Sequence, residues 1–392
     1  MRRQKRTTVT TSLPGFRTRK SRLWPGLAAG GALLLGLTAC GSDDPLASND
    51  GNGDAATADT SADSSGTDEA TGLSGMIAGA GASSQEAAMD AWRAGFQNEN
   101  PDVTISYDPV GSGGGRTQFL EGGTLFAGSD SAMSEEELEQ AAQRCEGDFI
   151  EAPLYISPIA VVYNLPEVEE LNLSAETIAQ IFNQDITTWN DPAIAAENPD
   201  ADLPDLPITP VSRSDESGTT DNFTDYLAEA AGDAWPHEPS GNWPVSGGQS
   251  AQGTSGVIQT VQGAEGTIGY ADASRAGNLG VVSLKVGENY VPYSAEAAAA
   301  VVDASPRAEG RPEHSFVVEL DRATTAEGAY PLVLISYSIA CLDYPDAEEA
   351  EIVKSFLSHI ASEEGQNAAA QAAGSAPISE QLRSEILAAL NS

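Results

Sequence analysis

Apolar and polar positions alternate between strand-like and helix-like patterns over residues 73 to about 284. Residues 73–78 form a short apolar run of strand length. The segment after them places Met89, Trp92 and Phe96 three and four residues apart, which is the spacing of one helix face. Because strand and helix patterns follow one another regularly, the sequence predicts an α/β fold with helices on both faces of its sheet.

Three of the predicted turns between a strand and a helix are rich in glycine and hydroxyl side chains. They occupy residues 79–84, residues 111–115 after a predicted strand at 103–107, and residues 212–219 before a predicted helix at 220–231. Glycine lets backbone N–H groups approach a ligand, and a helix N-terminus carries unpaired N–H groups and a partial positive charge. One such turn is commonly an ordinary helix cap, but three together predict a site for a small tetrahedral oxyanion.

The N-terminal segment has the composition of an export signal. Residues 1–22 contain eight Lys and Arg residues and no acid, residues 23–39 are apolar and rich in glycine and alanine, and Cys40 follows small residues. This order predicts a lipoprotein signal peptide at residues 1–39 and a mature chain that begins at a lipidated, palmitate-bearing Cys40. A membrane-spanning helix is the alternative, disfavoured because the stretch is short, glycine-rich and interrupted by Pro25.

Residues 40–72 are predicted to be the lipidated cysteine and a flexible tether. After Cys40 they consist mainly of Ser, Asp, Gly, Ala and Thr, a composition that buries too little apolar surface to fold. The remaining residues, about 320 in number, are enough for two modest lobes. We therefore expect a protein held by its lipid anchor at the extracytoplasmic face of the cell membrane.

Three cysteines and three histidines limit the redox and metal chemistry. With Cys40 assigned to the lipid, Cys145 and Cys341 remain, and outside the cytoplasm we expect them to form a disulfide, with two free buried thiols as the alternative. The sequence has no cluster of metal-ligating residues, so it predicts neither a metal site nor a cofactor. All histidines lie in polar, acidic segments, and we interpret them as surface residues: His237, His314 and His359.

The charge of the chain excludes one class of partner. There are 58 Asp and Glu residues against 19 Lys and Arg, a net charge of −39, and eight of the basic residues belong to the predicted signal. Nucleic acid needs a positive surface, so it is excluded as a partner. The chain also repels an anion at long range, so an anionic ligand must be captured by short, fixed hydrogen bonds. Calcium binding by the acids is an alternative, but no Asp-x-Asp-x-Asp-Gly loop occurs.

Four short motifs follow one another in order: GAGASS at 79–84, GSGGG at 111–115, AGSD at 127–130 and RSDESGT at 213–219. Together with the ITTWNDP turn at 186–192 and the later NWP and GTIGY motifs, they resemble the phosphate-binding proteins of high-affinity phosphate ABC transporters. Each motif alone is weak evidence. Their joint presence and spacing extend the resemblance over nearly the whole mature domain.

The resemblance implies a two-lobe, periplasmic-binding-protein-like fold of type II, in which two crossover strands form the hinge. Lobe I would comprise residues 73–154 and 330–392, and lobe II residues 155–329, with crossover strands at 155–163 and 330–339. The implied ligand is inorganic phosphate, held between the lobes. The implied partner is the membrane permease of a phosphate ABC transporter, and we expect the binding protein itself to be a monomer.

The resemblance also assigns roles to individual residues. Asp130 corresponds to an acceptor carboxylate, Arg213 to the one arginine on the ligand, and Asp215 to the acid that orients this arginine. Ser84 and Gln85 stand where one common form of the family has an aromatic residue and a proline, so the sealing of that wall of the cleft stays open. The implied phosphate donors are Ser83, Ser84, Ser112, Ser217, Gly218 and Thr219.

Asp130 carries the argument for selectivity. A buried carboxylate beside an anion is repulsive unless the anion donates a proton to it; phosphate has P–O–H groups, whereas sulfate is fully ionised near neutral pH. Asp130 is therefore expected to favour phosphate over sulfate. Its alternative role is to cap the loop before Ser134. Glu216 adds a negative charge near the anion, and we expect it to point to solvent.

Other functions can be weighed by the residues that they require. A serine hydrolase would need a base beside Ser83 or Ser217 and a G-x-S-x-G motif, and a phosphatase would need metals or a Cys/His nucleophile. The sequence offers none of these arrangements, so we expect no enzyme. Two binding roles stay open: a binding protein for another oxyanion, such as sulfate or molybdate, and a surface lipoprotein that senses phosphate.

Overall fold

The computed structural model describes residues 72–392. The predicted signal peptide, the lipidation site at Cys40 and residues 41–71 of the predicted tether lie outside the described residues. Among the helices of residues 72–392, none combines the length and the apolar character needed to span a bilayer.

Strands and helices alternate through most of the described residues, as the hydrophobic pattern predicts. The strands are β1 (Gly75–Gly81), β2 (Val103–Asp108), β3 (Phe126–Ser129), β4 (Phe149–Tyr163), β5 (Leu171–Leu173), β6 (Thr209–Arg213), β7 (Gln249–Ala251), β8 (Thr267–Asp272), β9 (Gly280–Val286), β10 (Asn289–Val291) and β11 (Val333–Cys341). The helices are α1 (Glu86–Glu99), α2 (Ser112–Leu120), α3 (Glu135–Arg144), α4 (Ala175–Phe182), α5 (Pro192–Glu197), α6 (Gly218–Ala230), α7 (Gly253–Gln262), α8 (Ala295–Ala304), α9 (Ala347–Ala361), α10 (Glu363–Ala373) and α11 (Glu380–Leu390).

Local sequence signals account for α1 and α3. The apolar face of α1 buries Met89, Trp92 and Phe96, as their spacing predicts. Helix α3 begins with a capping box, because the Ser134 hydroxyl accepts a hydrogen bond from the Glu137 backbone N–H (3.3 Å) and the Glu137 carboxylate accepts one from the Ser134 N–H (2.8 Å). Both elements therefore follow from residues close together in the chain.

Helix α2 begins earlier than the sequence pattern suggests. The pattern predicts a helix from residue 117, whereas the glycine run lies inside the helix that starts at Ser112. Glycine is a poor helix former. A side chain at Gly115, however, would overlap the backbone of Gly81 in β1. The glycines thus let α2 pack directly on β1, and this packing outweighs their low helix propensity.

The strands form one continuous sheet with the order β2-β1-β3-β11-β4-β8-β6-β7. β1 pairs in parallel with β2 and β3, and β6 pairs in parallel with β7 and β8. Between these two parallel groups lie β11 and β4, which pair antiparallel with each other. β11 also pairs antiparallel with β3, and β4 pairs antiparallel with β8. β9 pairs with the end of β4 and carries β5 and β10.

β4 and β11 run between the two parallel groups. β4 is 15 residues long and buried throughout; most of it pairs with β11, and its last residues, 159–163, pair with β8. β11 returns beside β3 and is also buried along its whole length. This topology confirms the predicted α/β fold with two crossover strands. The first strand begins at Phe149 rather than at residue 155, and the second at Val333 rather than at residue 330.

Cys145 and Cys341 form a disulfide, as predicted. Cys145 is the C-cap residue directly after α3, and Cys341 is the last residue of β11. The bond joins positions 196 residues apart in the sequence. In the chain-entropy treatment, closing so long a loop stabilises the folded chain by roughly 5 kcal/mol relative to the reduced chain.

An aromatic cluster packs beneath the third predicted turn. Phe223 of α6 stacks on Tyr270 of β8 with ring centroids 4.2 Å apart, and Phe182 and Trp243 pack against both rings. Phe182, Phe223 and Tyr270 are fully buried. The cluster fixes α6 against β8 and so positions the residues that immediately precede α6.

Candidate anion-binding site

The predicted turns gather near the carboxyl ends of parallel strands. The first turn begins in the last residues of β1, the second follows β2 and the third begins in the last residues of β6, while Asp130 comes directly after β3. In open α/β sheets, ligands bind outside the carboxyl ends of the strands. The contacts described below bring these segments together around one carboxylate and one arginine.

Asp130 lies at the centre of this cluster and is 4% exposed. Its Oδ1 accepts a hydrogen bond from the Ser84 hydroxyl (2.7 Å), and its Oδ2 accepts one from the Thr219 hydroxyl (3.1 Å). Its backbone N–H donates to the Ser112 hydroxyl (3.0 Å). A Cβ added to Gly218 would lie 2.5 Å from the Ser112 hydroxyl oxygen and 2.6 Å from Asp130 Cβ. Five of the predicted site residues therefore meet directly.

Burial and hydrogen bonding act on Asp130 in opposite directions. Burial, the larger effect, raises the pKa of Asp130 above its ordinary value, whereas the hydroxyls of Ser84, Ser336 and Thr219 and the charge of Arg213 lower it. Hydroxyl groups that donate to a carboxylate favour its ionised, acceptor-only form. The site thus holds a desolvated carboxylate whose neighbours stabilise it as an acceptor.

Arg213 and Asp215 form the predicted pair. Arg213 is 3% exposed, its Nε donates to Asp215 Oδ1 (2.8 Å), and its Nη2 donates to Asp215 Oδ2. The same Oδ1 accepts from the Gly253 backbone N–H (3.0 Å). Burial alone would raise the pKa of Asp215, but the hydrogen bonds and charge of Arg213 outweigh it and lower this pKa. The guanidinium is therefore held in one orientation by a charged acceptor.

The third turn ends in the first residues of α6. The helix begins at Gly218, two residues earlier than predicted, with Ser217 as its N-cap: the Ser217 hydroxyl accepts from the Thr220 N–H (3.2 Å). A hydroxyl that accepts in this way still has its own proton to donate. The Tyr270 hydroxyl bonds the Thr220 hydroxyl (2.8 Å) and accepts from the Arg213 N–H (3.3 Å), so β8 supports the turn.

Ser83 lies against a residue that sequence reasoning missed. The Ser83 hydroxyl accepts a hydrogen bond from the Thr254 N–H (3.0 Å), and the two hydroxyl oxygens are 3.1 Å apart. Thr254 belongs to the first turn of α7 and is buried. Gly253 and Thr254 open an apolar helix pattern, as glycine and hydroxyl residues do in the other turns. This similarity in composition could have identified Thr254 from the sequence.

The first turn also shows how Ser84 and Gln85 replace the aromatic residue and proline. Gln85 is buried and its amide N–H donates to the Tyr107 hydroxyl (3.1 Å), which in turn donates to the Ala82 carbonyl (3.0 Å). These side chains cover Gly128, where an added Cβ would lie 2.5 Å from the Tyr107 hydroxyl. Polar packing therefore closes this wall, and the Ser84 hydroxyl adds a side-chain contact to Asp130.

Glu216 is half exposed, yet it does not simply point to solvent. Arg116 Nη2 lies 3.4 Å from a Glu216 carboxylate oxygen, and Arg116 also bonds Glu137 (2.8 Å) and the Ser129 hydroxyl (2.9 Å). Arg116 is buried and was not identified from the sequence. Its guanidinium offsets the negative charge of Glu216 next to the site, so the expectation for Glu216 is corrected in this respect.

One of the three histidines also differs from expectation. The ring of His359 is 10% exposed and packs edge-on against Phe96, with ring centroids 5.6 Å apart. His237 and His314 are partly exposed. His359 as a whole residue is also partly exposed, but α9 packs against α1 at this point and covers most of its ring.

The chain matches a family model described as a PBP superfamily domain over residues 52–364. It is 35% identical over 319 residues to phosphate-binding protein PstS2 of Mycobacterium bovis (strain BCG / Pasteur 1173P2), covering 79% of this chain and 85% of the relative. It is 35% identical over 337 residues to phosphate-binding protein PstS 3 of Mycobacterium leprae (strain TN), covering 85% and 88% of the two chains.

Two solved structures share the fold. A high-affinity periplasmic phosphate-binding protein (PfluDING) bound with phosphate superposes with a TM-score of 0.66 at 21% identity, over 80% of this chain and 93% of that chain. A human phosphate binding apolipoprotein superposes with a TM-score of 0.62 at 21% identity, over 80% and 93% of the two chains. The described chain therefore has the two-lobe, periplasmic-binding-protein-like α/β fold in which β4 and β11 are the crossover strands.

Proposed function

This chain belongs to the PstS family of the PBP superfamily, and we propose that it binds inorganic phosphate and delivers it to the membrane permease of an ABC transporter. The proposal is supported by its similarity to mycobacterial phosphate-binding proteins over most of both chains. The observation that carries it is Asp130, a buried carboxylate that is surrounded by hydroxyl donors at the start of two helices.

The proposed ligand is held by fixed hydrogen-bond donors. The N-termini of α1, α2 and α6 supply backbone N–H groups and partial positive charge, and Arg213, oriented by Asp215, supplies a planar guanidinium. Such donors act at short range, which suits a chain whose overall charge repels anions. The residues we assign to phosphate are Ser83, Ser84, Ser112, Asp130, Arg213, Ser217, Gly218 and Thr219.

Asp130 gives the proposed site its preference for phosphate. Monohydrogen and dihydrogen phosphate each have a P–O–H group that can donate to the carboxylate in a charge-assisted hydrogen bond. Sulfate lacks this proton near neutral pH, so its binding would place two unpaired negative charges together in a buried site, at a cost of several kcal/mol. The Asp130 carboxylate, as the one acceptor among many donors, is therefore proposed to distinguish phosphate from sulfate, although the two anions have the same shape.

Binding is proposed to bridge two lobes. We assign residues 73–154 and 330–392 to one lobe and residues 155–329 to the other. Hydrogen bonds between these segments include the one from Thr219 to Asp130 and the one from Thr254 to Ser83. A ligand that contacts both lobes would stabilise this closed arrangement, as hinge closure does in binding proteins, and the exclusion of water would strengthen each contact.

The predicted anchor places this binding reaction at the outer face of the cell membrane. A lipid at Cys40 and the segment 41–72 would tether the binding domain near the permease. We propose no catalytic activity, because in residues 72–392 the hydroxyls of Ser83 and Ser217 contact Thr254 and the backbone of α6 rather than a general base. The proposed role is therefore capture and delivery of phosphate.

Calorimetric titration of the purified full-length chain tests this function. The protein is kept in mild detergent because of the predicted anchor, and it is unfolded and refolded beforehand to remove carried-over ligand. We expect one phosphate per chain and no response to sulfate at neutral pH. Equal affinities for both anions would contradict the role of Asp130, and silence with both would show that the three turns are only helix caps.

Substitution of the carboxylate tests the selection mechanism. In Asp130→Asn the amide can donate as well as accept, so we expect phosphate affinity to fall by less than about tenfold and sulfate affinity to rise by at least about tenfold. Asp303→Asn, at an exposed position of α8, is the matched control and should leave both affinities unchanged. An unaltered ratio of phosphate to sulfate affinity in Asp130→Asn would count against the proposed mechanism.

A further inference from the structure

Ser336 is a buried polar residue that the proposed site does not yet use. It lies in the crossover strand β11 and is fully buried. Among the residues that the structure describes, its hydroxyl has no hydrogen-bond partner. Buried hydroxyls are nearly always paired, because an unpaired one loses its bonds to water without replacement. The position of this hydroxyl therefore requires an explanation.

The pairing of β11 places Ser336 beside Asp130. Tyr337 is opposite Ser129 in the antiparallel pairing of β11 with β3, so the residue before Tyr337 adjoins the residue after Ser129. The pairing of β11 with β4 also shifts register between Ser336 and Tyr337. Such an irregularity turns a side chain away from its regular direction and is common next to binding sites.

The Ser336 hydroxyl is close enough to influence Asp130 without forming a well-aligned bond. Burial raises the pKa of Asp130, and the Ser336 hydroxyl is one of the groups that lower it, after that of Ser84. A hydroxyl proton rotates freely about its C–O bond. The proton of the Ser336 hydroxyl can therefore turn toward the carboxylate when an anion binds.

We propose that Ser336 is a specificity-determining residue, whose hydroxyl donates a hydrogen bond to Asp130 when the anion binds and so reserves the carboxylate as the acceptor for a protonated oxyanion. This inference rests on the proposed function. An ionised carboxylate offers about four lone-pair positions. Ser84 and Thr219 occupy one on each oxygen. Ser336 fills a third, and the P–O–H group of phosphate fills the remaining one.

Loss of the Ser336 hydroxyl should weaken selection rather than abolish binding. Without this donor the carboxylate is less well stabilised as an anion, so Asp130 takes up a proton at a higher pH. Protonated Asp130 can itself donate to an oxyanion, and a fully ionised sulfate then becomes an acceptable ligand. The expected signature is therefore a sulfate response that appears at higher pH than in the wild-type protein.

Other ionisable groups near Asp130 stay the same in such a variant. Arg213 of β6 lowers the pKa of Asp130, and Asp130 contributes to the raised pKa of Tyr107 on β2. A cavity of about 300 Å³ adjoins Asp130 and is lined by further charged groups and by Tyr337. A change in pH profile on substitution of Ser336 can then be attributed to the lost hydroxyl, since none of these groups is altered. The charged residues of this cavity are Asp221, Asp225, Glu229, Glu319 and Arg322.

Calorimetric titration with phosphate and with sulfate, at about pH 6 and about pH 8, tests the inference on the full-length chain. For Ser336→Ala we expect the ratio of phosphate to sulfate affinity at the lower pH to fall by at least about tenfold, with a smaller change at the higher pH. Ser336→Thr restores a hydroxyl and should restore most of the ratio. Ser338→Ala removes another buried serine of the same strand and should behave as the wild type.

The outcomes separate the inference from the proposed function. Absence of phosphate binding by the wild-type chain overturns both. Normal selective binding by the wild type, together with an unchanged ratio and pH profile in Ser336→Ala, overturns the role of Ser336 alone. If Ser336→Ala does not fold, as judged by near-ultraviolet circular dichroism, Ser336→Cys replaces it: the thiol is a weaker donor, and a wild-type ratio in that variant would likewise overturn the role.

Discussion

Arg213 combines two tasks that a lysine at this position would not perform together. Its Nε and Nη2 both bond Asp215, and the rest of its planar fork remains for an anion. We expect Arg213→Lys to weaken phosphate binding by roughly 10- to 100-fold, because a single ammonium group has no fixed orientation against both partners. Titration calorimetry measures the change, with Arg307→Lys as the control at a half-exposed ion pair. Equal losses in both variants would contradict a specific role for Arg213.

At the scale of single residues, the site divides into contacts that the sequence predicts and contacts that it does not. Asp130, Arg213 and Asp215 stand in motifs whose chemistry is readable locally, and the structure brings them together. Thr254 and Arg116 were missed because their partners are far away in the sequence. Thr254 contacts Ser83, 171 residues away, and Arg116 contacts Glu216, 100 residues away. Contacts over such distances follow from the fold and leave no local pattern.

The turn before α2 depends on a glycine at one position. Gly111 has a φ of +98°, and a Cβ there would lie 2.6 Å from Asp215 Oδ2 and 2.8 Å from the Glu216 carbonyl oxygen. We expect Gly111→Ala to lower the free energy of unfolding by about 1–3 kcal/mol and to weaken phosphate binding, because the added methyl group displaces Asp215. Urea denaturation and calorimetry measure the two effects.

Gly114 provides the matched control within the same glycine run. It lies inside α2, and the nearest atom to an added Cβ is a methyl group of Val110 at 3.1 Å. Since alanine is the better helix former, Gly114→Ala should change the stability by less than about 1 kcal/mol. Equal destabilisation by both substitutions would show that the whole run, rather than the turn at Gly111, requires glycine.

Asp272 makes the region of the crossover strands sensitive to pH. It is fully buried at the end of β8, and the Tyr155 hydroxyl of β4 donates to both of its oxygens (3.1 Å each). Burial, opposed by hydrogen bonds from Ser274, Ser157 and Tyr155, raises the pKa of Asp272 from 3.8 to about 6. Because the folded-state pKa lies above the unfolded one, this group contributes stability at low pH that is lost as the pH rises through about 6.

Replacement by asparagine removes this titration. A shift of this size corresponds to about 3 kcal/mol. Relative to Asp272→Asn, the wild-type chain should therefore lose about 3 kcal/mol of unfolding free energy between about pH 4 and about pH 7. Urea denaturation at both pH values provides the comparison, and Asp303→Asn serves as the exposed control. A difference between wild type and Asp272→Asn that stays constant with pH would contradict the assignment.

At the scale of secondary structure, periodicity and capping predict most elements, and tertiary packing corrects the rest. The apolar spacing of α1 predicts that helix correctly, and the capping box accounts for the start of α3. The start of α2 was wrong because close packing on β1 selects glycine in a helix, against its propensity. The family resemblance implied two crossover strands, but the order of the strands in the sheet emerges only from the structure, since no local pattern tells which strands pair.

At the scale of the whole molecule, net charge and local site act on phosphate in opposite directions. The chain carries a net charge of −39, whereas Arg213 and the helix N-termini offer hydrogen-bond donors and partial positive charge within a small, buried region. Repulsion from the distributed acids extends over a Debye length, about 30 Å at 0.01 M salt and about 10 Å at 0.1 M. The site contacts are buried and act at hydrogen-bond distance. Salt should therefore weaken the repulsion much more than it weakens the contacts.

The consequence is an unusual salt dependence of phosphate binding. We expect the association rate constant to rise by up to about tenfold between low and physiological ionic strength, while the dissociation rate constant changes little. Stopped-flow measurements of tryptophan fluorescence can follow both rates, because Trp243 packs against Phe223 of the helix that begins at the site. The dissociation rate serves as the internal control. An association rate that falls with salt would contradict the proposed repulsion and would show that phosphate is attracted to the site despite the acidic surface.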